Sequence, residues 1–254
     1  MVNITSAMYR GMLVDKVAVV TGAGRGIGKA IALAYAQAGA AVCCAARTVA
    51  EIEQTAHEIQ TKGGRALAIA TDVTDLAAVE QMFRQTVATF GGIDLVVINA
   101  GVFGERRTIL DSEPAQWRAT VEVNLFGAYH CVRAAVPYLQ QRGGGKIILM
   151  GSGARNRGQS GSSAYTCSKA GIWALTQVLA QELLPYGICV NELIPGPVET
   201  TMLNQLQAGQ GKSDALKHEW FKQPDDVAPL ALFLATQPDE GPTMQSFSLM
   251  RRGN

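Results

Sequence analysis

The chain of 254 residues has no excess of either charge: 22 lysines and arginines stand against 21 aspartates and glutamates, a net charge of +1. That balance removes the electrostatic reason to expect nucleic acid or an anionic membrane surface as a partner. Pairs such as Arg106-Arg107 and Arg251-Arg252 are too short to serve as nucleic-acid arms. No uninterrupted apolar run approaches the roughly 18–20 residues of a membrane span. The first dozen residues lack an apolar core followed by a small-residue cleavage site, so no secretory leader is expected. The five cysteines (Cys43, Cys44, Cys131, Cys167 and Cys189) are odd in number and include no C-x-x-C pair. The expectation is reduced, largely buried thiols in a cytoplasmic protein. The three histidines have no ligand-like spacing, so no metal site is expected.

What the chain does have is an alternation of short β-branched runs with longer helical patterns. Residues 16–21, 41–46, 66–70, 93–99, 146–150 and 189–193 read as strands, and 246–250 as a last one. Helices are predicted over 26–38, 49–62, 75–90, 113–139, 163–184 and 224–235. Such alternation implies parallel pairing with right-handed crossovers, and so an α/β fold with a doubly wound parallel sheet and helices on both faces. No repeat, linker or break in composition divides the chain, so residues 1–254 read as a single domain. The polar stretch 200–223 is too long for an ordinary connection and reads as an insertion bordering a substrate pocket.

The first strand runs into Thr21-Gly22-Ala23-Gly24-Arg25-Gly26-Ile27-Gly28, a glycine-rich turn that opens a helix. The first N–H groups of a helix and its dipole favour a phosphate. The spacing is not G-x-G-x-x-G, because Ile27 stands where the third glycine belongs. It is not a nucleoside-triphosphate loop either, since Ala23 and Ala30 replace its first glycine and its Ser or Thr. The pattern T-G-x-x-x-G-x-G reads as a dinucleotide site or as a merely tight strand–helix turn. An NAD site places a carboxylate at the end of the second strand, whereas a 2′-phosphate calls for arginine. Here that strand ends in Arg47 with no acid, and Arg25 lies in the turn, so NADP(H) is expected over NAD(H). Asp72-Val73 and Asn99-Ala100-Gly101 follow the third and fourth strands, at the ends where ligands bind in this architecture.

Downstream, Tyr165 and Lys169 are four residues apart on one face of a predicted helix. Together with T-G-x-x-x-G-x-G, Asp72, Asn99-Ala100-Gly101, Asn124, Ser152 and Pro195-Gly196, this order of motifs resembles the single-domain branch of the short-chain dehydrogenase/reductase family. The resemblance covers about residues 13–236 and includes 3-oxoacyl-acyl-carrier-protein reductase-like members. It implies a Rossmann-like fold and hydride transfer between a nicotinamide cofactor and a carbonyl or secondary alcohol. It also implies a role for each matching residue. Tyr165 would be the general acid/base, and Lys169 would stabilise its phenolate and hold the nicotinamide ribose. Ser152 would bond the substrate oxygen, and Asn124 would hold a water linking Lys169 to solvent. Pro195, Gly196 and Val198 would lie beside the nicotinamide, with Thr200 near the cofactor phosphates or carboxamide.

A serine hydrolase is the obvious rival for a serine at a strand end, but Met150–Ala154 is not G-x-S-x-G and no histidine follows the last strand. A non-catalytic dinucleotide-binding sensor or scaffold is the rival from another class. The pocket is expected between 102–107, 153–162 and 200–223, the last carrying Trp220 and Phe221. Arg106, Arg107, Arg155 and Arg157 on these segments suggest an anionic substrate, or acyl carrier protein presenting a 3-oxoacyl group. An NAD-dependent alcohol, sugar or steroid dehydrogenase is the alternative. The chain's end departs from the family's T-G-Q and V-D-G-G: Met244 replaces a glycine, and Arg251-Arg252 stand where an acid is usual. A homo-oligomer, tetramer or dimer, is expected, and this departure bears on its geometry.

Overall fold

A computed structural model describes residues 9–207 and 219–251. Among the described residues, seven parallel strands form one sheet: β1 Val17–Thr21, β2 Ala41–Ala46, β3 Arg65–Ala70, β4 Leu95–Ile98, β5 Gly145–Met150, β6 Ile188–Ile194 and β7 Ser246–Ser248. Their spatial order is β3-β2-β1-β4-β5-β6-β7, so the winding reverses between β1 and β4. The central strands are continuous apolar runs such as VAVVT and AVCCAA, as a sheet covered on both faces requires.

One face packs against α1 Gly26–Gln37, α2 Val49–Thr61 and α9 Ala228–Ala235, through Ile31, Tyr35, Ile52, Ile59 and Leu232. The other packs against α3 Leu76–Phe90, α5 Gly127–Gln141 and α7 Ser163–Leu183, through Phe83, Cys131, Leu139, Ile172 and Leu179. The remaining α-helices among the described residues are α4 Pro114–Val121, the one-turn α6 Ala154–Arg157 and α8 Thr201–Gln207. Local chemistry sets several ends. Asp75 caps α3 by accepting from Ala77 N at 2.9 Å and Ala78 N at 3.2 Å, and Gly91 ends that helix at φ +86°. Cys43, Cys44, Cys131 and Cys189 are buried and Cys167 is exposed. Burial pushes the Cys43, Cys44 and Cys131 thiols up to about 12. No helix among the described residues is long and apolar enough to cross a membrane.

The structure corrects three readings. The helix expected over 113–139 is broken by a π-helical turn, Glu122–Phe126, between α4 and α5. The last strand stops at Ser248 rather than 250, because Met250 N turns back to Ser248 Oγ at 3.1 Å. The stretch read as a long insertion opens with α8, while residues 208–218 lie outside the described residues. Met244 takes the left-handed conformation, φ +59°, that the family's glycine would adopt freely.

Candidate active site

The reversal between β1 and β4 leaves a crevice at the carboxyl ends of the strands, where α/β sheets bind ligands. A cleft of about 500 Å³ opens there, lined by Gly22, Arg25, Gly26, Ile27, Arg47, Asp72, Val73, Asn99, Ala100, Gly101 and Thr200 among others. Eleven residues read from the sequence as cofactor contacts therefore share one wall system. Gly28 lies beneath it: a Cβ there would collide with the Gly22 carbonyl. Gly22 itself has φ +68°, and a Cβ on it would come within 2.8 Å of Asn99 Nδ2. Helix α1 starts at Gly26 with no side chain capping its first amides, which leaves those donors to a ligand. This open helix start, the glycines and the cleft fit the phosphates of a dinucleotide.

Threonine 21 and Asn99 lock the turn. Thr21 Oγ1 accepts from the amides of Asn99 at 3.0 Å and Ala100 at 3.1 Å. Asn99 Nδ2 donates back to Thr21 O at 3.0 Å. Sequence reasoning placed Asn99 at a ligand-binding strand end and did not see Thr21 as its partner.

Beside this turn, each arginine meets an acid. Arg25 Nη1 lies 3.2 Å from Glu51 Oε1, and Arg47 Nη1 lies 3.9 Å from Asp72 Oδ2. Burial alone would raise the Asp72 carboxyl, but hydrogen bonds from the Thr74 amide and hydroxyl, with Arg47, hold it below its ordinary value. Glu51 also lines the cleft. It comes from the first turn of α2, beyond the strand end where the sequence search for an acid stopped.

Helix α7 carries Tyr165, Ser168 and Lys169. Lys169 is buried and its Nζ donates to Met150 O at 2.8 Å, 5.8 Å from the Tyr165 ring centroid. Burial lowers the Lys169 ammonium to about 8, with the Glu192 carboxylate acting in the opposite direction. Burial raises the Tyr165 phenol, and a side-chain hydrogen bond with Ser152 offsets part of that. Ser152 follows β5, and its Oγ accepts from Ala154 N at 3.2 Å. The Phe103 ring stacks on Tyr165 at 4.7 Å between centroids, a neighbour that no sequence pattern signalled.

Asn124 projects from the π-helical turn, a local geometry that re-aims side chains. Its Nδ2 donates to Val102 O at 2.9 Å and Ser168 Oγ at 3.0 Å, and its Oδ1 accepts from Val102 N at 2.8 Å. It thus clamps the loop after β4 to α7. Gly101 runs beside this clamp, where a Cβ would lie 3.1 Å from Asn124 Oδ1 and 3.8 Å from Lys169 Nζ. The arrangement links the glycine cleft to the Tyr165–Lys169 face across a single backbone segment.

Beyond β6, Gly196 has φ +68°, and a Cβ on it would lie 3.3 Å from the ammonium of buried Lys222. Pro197 O and Glu199 N hydrogen-bond the Lys222 backbone, so the 195–199 segment is tied to the chain that follows 218. Val198 is buried in a bridge to Lys222, and Thr200 caps α8 through Leu203 N at 3.3 Å.

The four arginines read as a recognition set for an anion are not one set. Arg155 is buried against Glu192 at 2.8 Å, Arg107 pairs with Glu105 at 3.6 Å, and Arg157 with Glu219 at 3.5 Å. Arg106 is the member of the four that lines the cleft. The physical reason is local neutralisation by acids that pattern reading along the loops could not pair with them. Glu192 was missed altogether, although an acid inside the apolar run ICVNELI was a signal.

Comparison with known proteins follows the same lines. The family model described as short chain dehydrogenase matches residues 16–211. The short chain dehydrogenase/reductase astE of Aspergillus oryzae is 38% identical over 232 residues, 88% of this chain and 89% of that protein. A 3-oxoacyl-[acyl-carrier-protein] reductase of Synechocystis sp. is 34% identical over 227 residues, 89% of this chain and 91% of its own length. The crystal structure of a short-chain type dehydrogenase/reductase from Mycobacterium marinum superposes with a TM-score of 0.87 at 32% identity, covering 96% of both chains. With the match spanning most of the chain, and the fold and motif order agreeing, this protein belongs to the short-chain dehydrogenase/reductase family.

Proposed function

We propose that the protein is an NADP(H)-dependent oxidoreductase that interconverts a carbonyl and a secondary alcohol. The observation that carries the reading is the convergence of Ser152, Tyr165, Lys169 and Asn124 behind the glycine-lined cleft. A bound nicotinamide supplies the hydride donor or acceptor. The protein's own residues then have separable tasks. Gly22, Gly26, Ile27 and the open start of α1 hold the phosphates, and Asp72, Val73, Asn99, Ala100 and Gly101 border the adenosine and ribose side. Pro195, Gly196, Val198 and Thr200 border the nicotinamide side. Ser152 orients the substrate oxygen as charge develops on it. Tyr165 gives that oxygen its proton in reduction and takes it in oxidation. The Lys169 ammonium steadies the phenolate, and Asn124 fixes the loop against which both groups work.

Arg25 and Arg47 support NADP(H) over NAD(H), because each can exchange its carboxylate partner for a doubly charged 2′-phosphate. The exposed rings of Phe126 and Tyr129 on and beside α5 support self-association as a homo-oligomer. For substrate, the Synechocystis relative's name supports a 3-oxoacyl thioester, with acyl carrier protein as its bearer; a simple ketone or aldehyde is the other candidate class. The test is Tyr165→Phe, which should bind NADPH as the unaltered protein does while turnover falls roughly 10²–10⁴-fold. The assay is NADPH oxidation over a panel of ketones, aldehydes and 3-oxoacyl thioesters. Undiminished turnover would remove Tyr165 from the mechanism. Tight NADPH binding with no oxidation across the panel would favour a non-catalytic sensor.

A further inference from the structure

Strand β6 holds a carboxylate where a strand covered on both faces normally carries aliphatic side chains. Glu192 is fully buried, and an uncompensated charge in such a place is strongly unfavourable. Its Oε2 accepts from Ser246 Oγ at 2.7 Å and faces Arg155 Nη1 at 2.8 Å. Arg155 Nη2 donates to the same Ser246 hydroxyl at 3.2 Å, and the guanidinium lies 4.2 Å over the Trp173 ring. Trp173 follows Lys169 by one turn of α7, so the pair sits against the helix face that carries Lys169.

The other oxygen, Glu192 Oε1, has no hydrogen-bond partner among the described residues. It presses on Gly151, where any Cβ would collide with it. Gly151 is the link between Met150, whose carbonyl receives the Lys169 ammonium, and Ser152, whose side chain bonds Tyr165. The carboxylate is therefore packed under a peptide segment that touches both members of the couple. A brace between strands would not need a charge at that point.

We propose that Glu192 and Arg155 form a positioning pair for the Tyr165–Lys169 couple, with the Glu192 carboxylate setting the Met150–Ser152 backbone and serving as the buried counter-charge of the Lys169 ammonium. The proposal rests on the proton-handling role given to that couple and deepens it. The charged and titratable groups concerned are few. Lys169 is faced by Tyr165 from its own helix, and the charge of Glu192 on β6 acts on it from beneath Gly151, the residue after the carbonyl that Lys169 bonds. Glu192 is faced by Arg155 from α6 and by the Ser246 hydroxyl from β7. Burial raises the Glu192 carboxyl, the Ser246 hydroxyl, Arg155 and Lys169 act against that rise, and Glu192 in turn opposes the loss of the Lys169 proton that burial promotes.

The experiment follows the titration of Lys169 directly, by NMR of protein labelled with ¹³C-lysine, with the signal assigned by its loss in Lys169→Arg. Glu192→Gln should lower the Lys169 midpoint by about one pH unit, since a nearby opposite charge has been removed. Arg155→Met/Glu192→Gln, which removes the guanidinium together with its carboxylate partner, should shift it the same way by a smaller amount; it carries the measurement if the single variant does not fold. An unmoved midpoint in a folded variant would overturn the proposal and leave the pair a structural brace. In turnover, kcat should fall while NADPH affinity is kept, and the alkaline limb of the reductive profile should move down with the Lys169 midpoint. Turnover is a separate reading: a shifted midpoint in a protein that reduces no carbonyl would retain the counter-charge and refute the enzymatic function. An unshifted midpoint in an active enzyme would do the reverse.

Discussion

The two ends of the cleft are built from different materials. The end beside β1 and α1 is made of backbone: glycines at 22, 26 and 28, uncapped amides, and two apolar strands with no charged residue in them. The end beside β5 and β6 is made of buried polar side chains: Asn124, Lys169, Arg155 and Glu192, drawn from segments as far apart as the π-helical turn and the last strands. A backbone site is specified by a few neighbouring residues and has no ionisation state to lose. A side-chain site has a proton inventory, and each member needs partners that other segments must deliver. The first suits a constant ligand part such as a phosphate, the second a chemical step whose charge changes.

That contrast can be broken most severely at the backbone end. Gly28→Val puts a side chain into the Gly22 carbonyl, an overpacking that the turn can relieve only by opening. NADPH affinity should fall about 100-fold or more, roughly 3 kcal/mol, by cofactor titration. Unchanged affinity would mean that the turn is not the phosphate cradle. A smaller effect should come from Thr21→Val, which removes the acceptor of two amides while keeping shape. Leaving those donors unpaired should cost about 2 kcal/mol of stability in a denaturant titration. A neutral result would show that the backbone end needs no side-chain support. The smallest expected effect is Arg47→Ala. This arginine is largely exposed and its partner Asp72 is 3.9 Å away, so solvent screens it. NADPH affinity should drop by about fivefold, near 1 kcal/mol, with NADH affinity unaltered. Equal losses for both cofactors would take Arg47 away from the 2′-phosphate.

How much of this was legible differs along the same line. Strand 41–46 was read to the residue and α1, α2, α3 and α7 to within about two residues, because apolar runs, periodicity and terminal glycines are local signals. The π-helical turn at Glu122–Phe126 was not legible, since its residues have helical propensity and only packing selects the wider turn. Among the candidate site residues, the glycines, Asp72 and Asn99, which line or underlie the cleft, were read from their position relative to strands. Arg155 was misread as facing substrate because its partner Glu192 is 37 positions further on, in strand β6. Glu51 was missed for a similar reason, being one helix turn past the strand end that was searched.

By itself, then, the sequence determined the alternating α/β order, the glycine turn and the helical spacing of Tyr165 and Lys169, because each is encoded by residues within a turn or a strand of one another. Only the tertiary structure decided which charges meet. It paired Arg25 with Glu51, placed Asn124 between Val102 and Ser168, and buried Glu192 beneath Gly151. The physical reason is that a charge takes its meaning from dielectric and from partners. Both are set by parallel strands that lie side by side in space while separated in the chain.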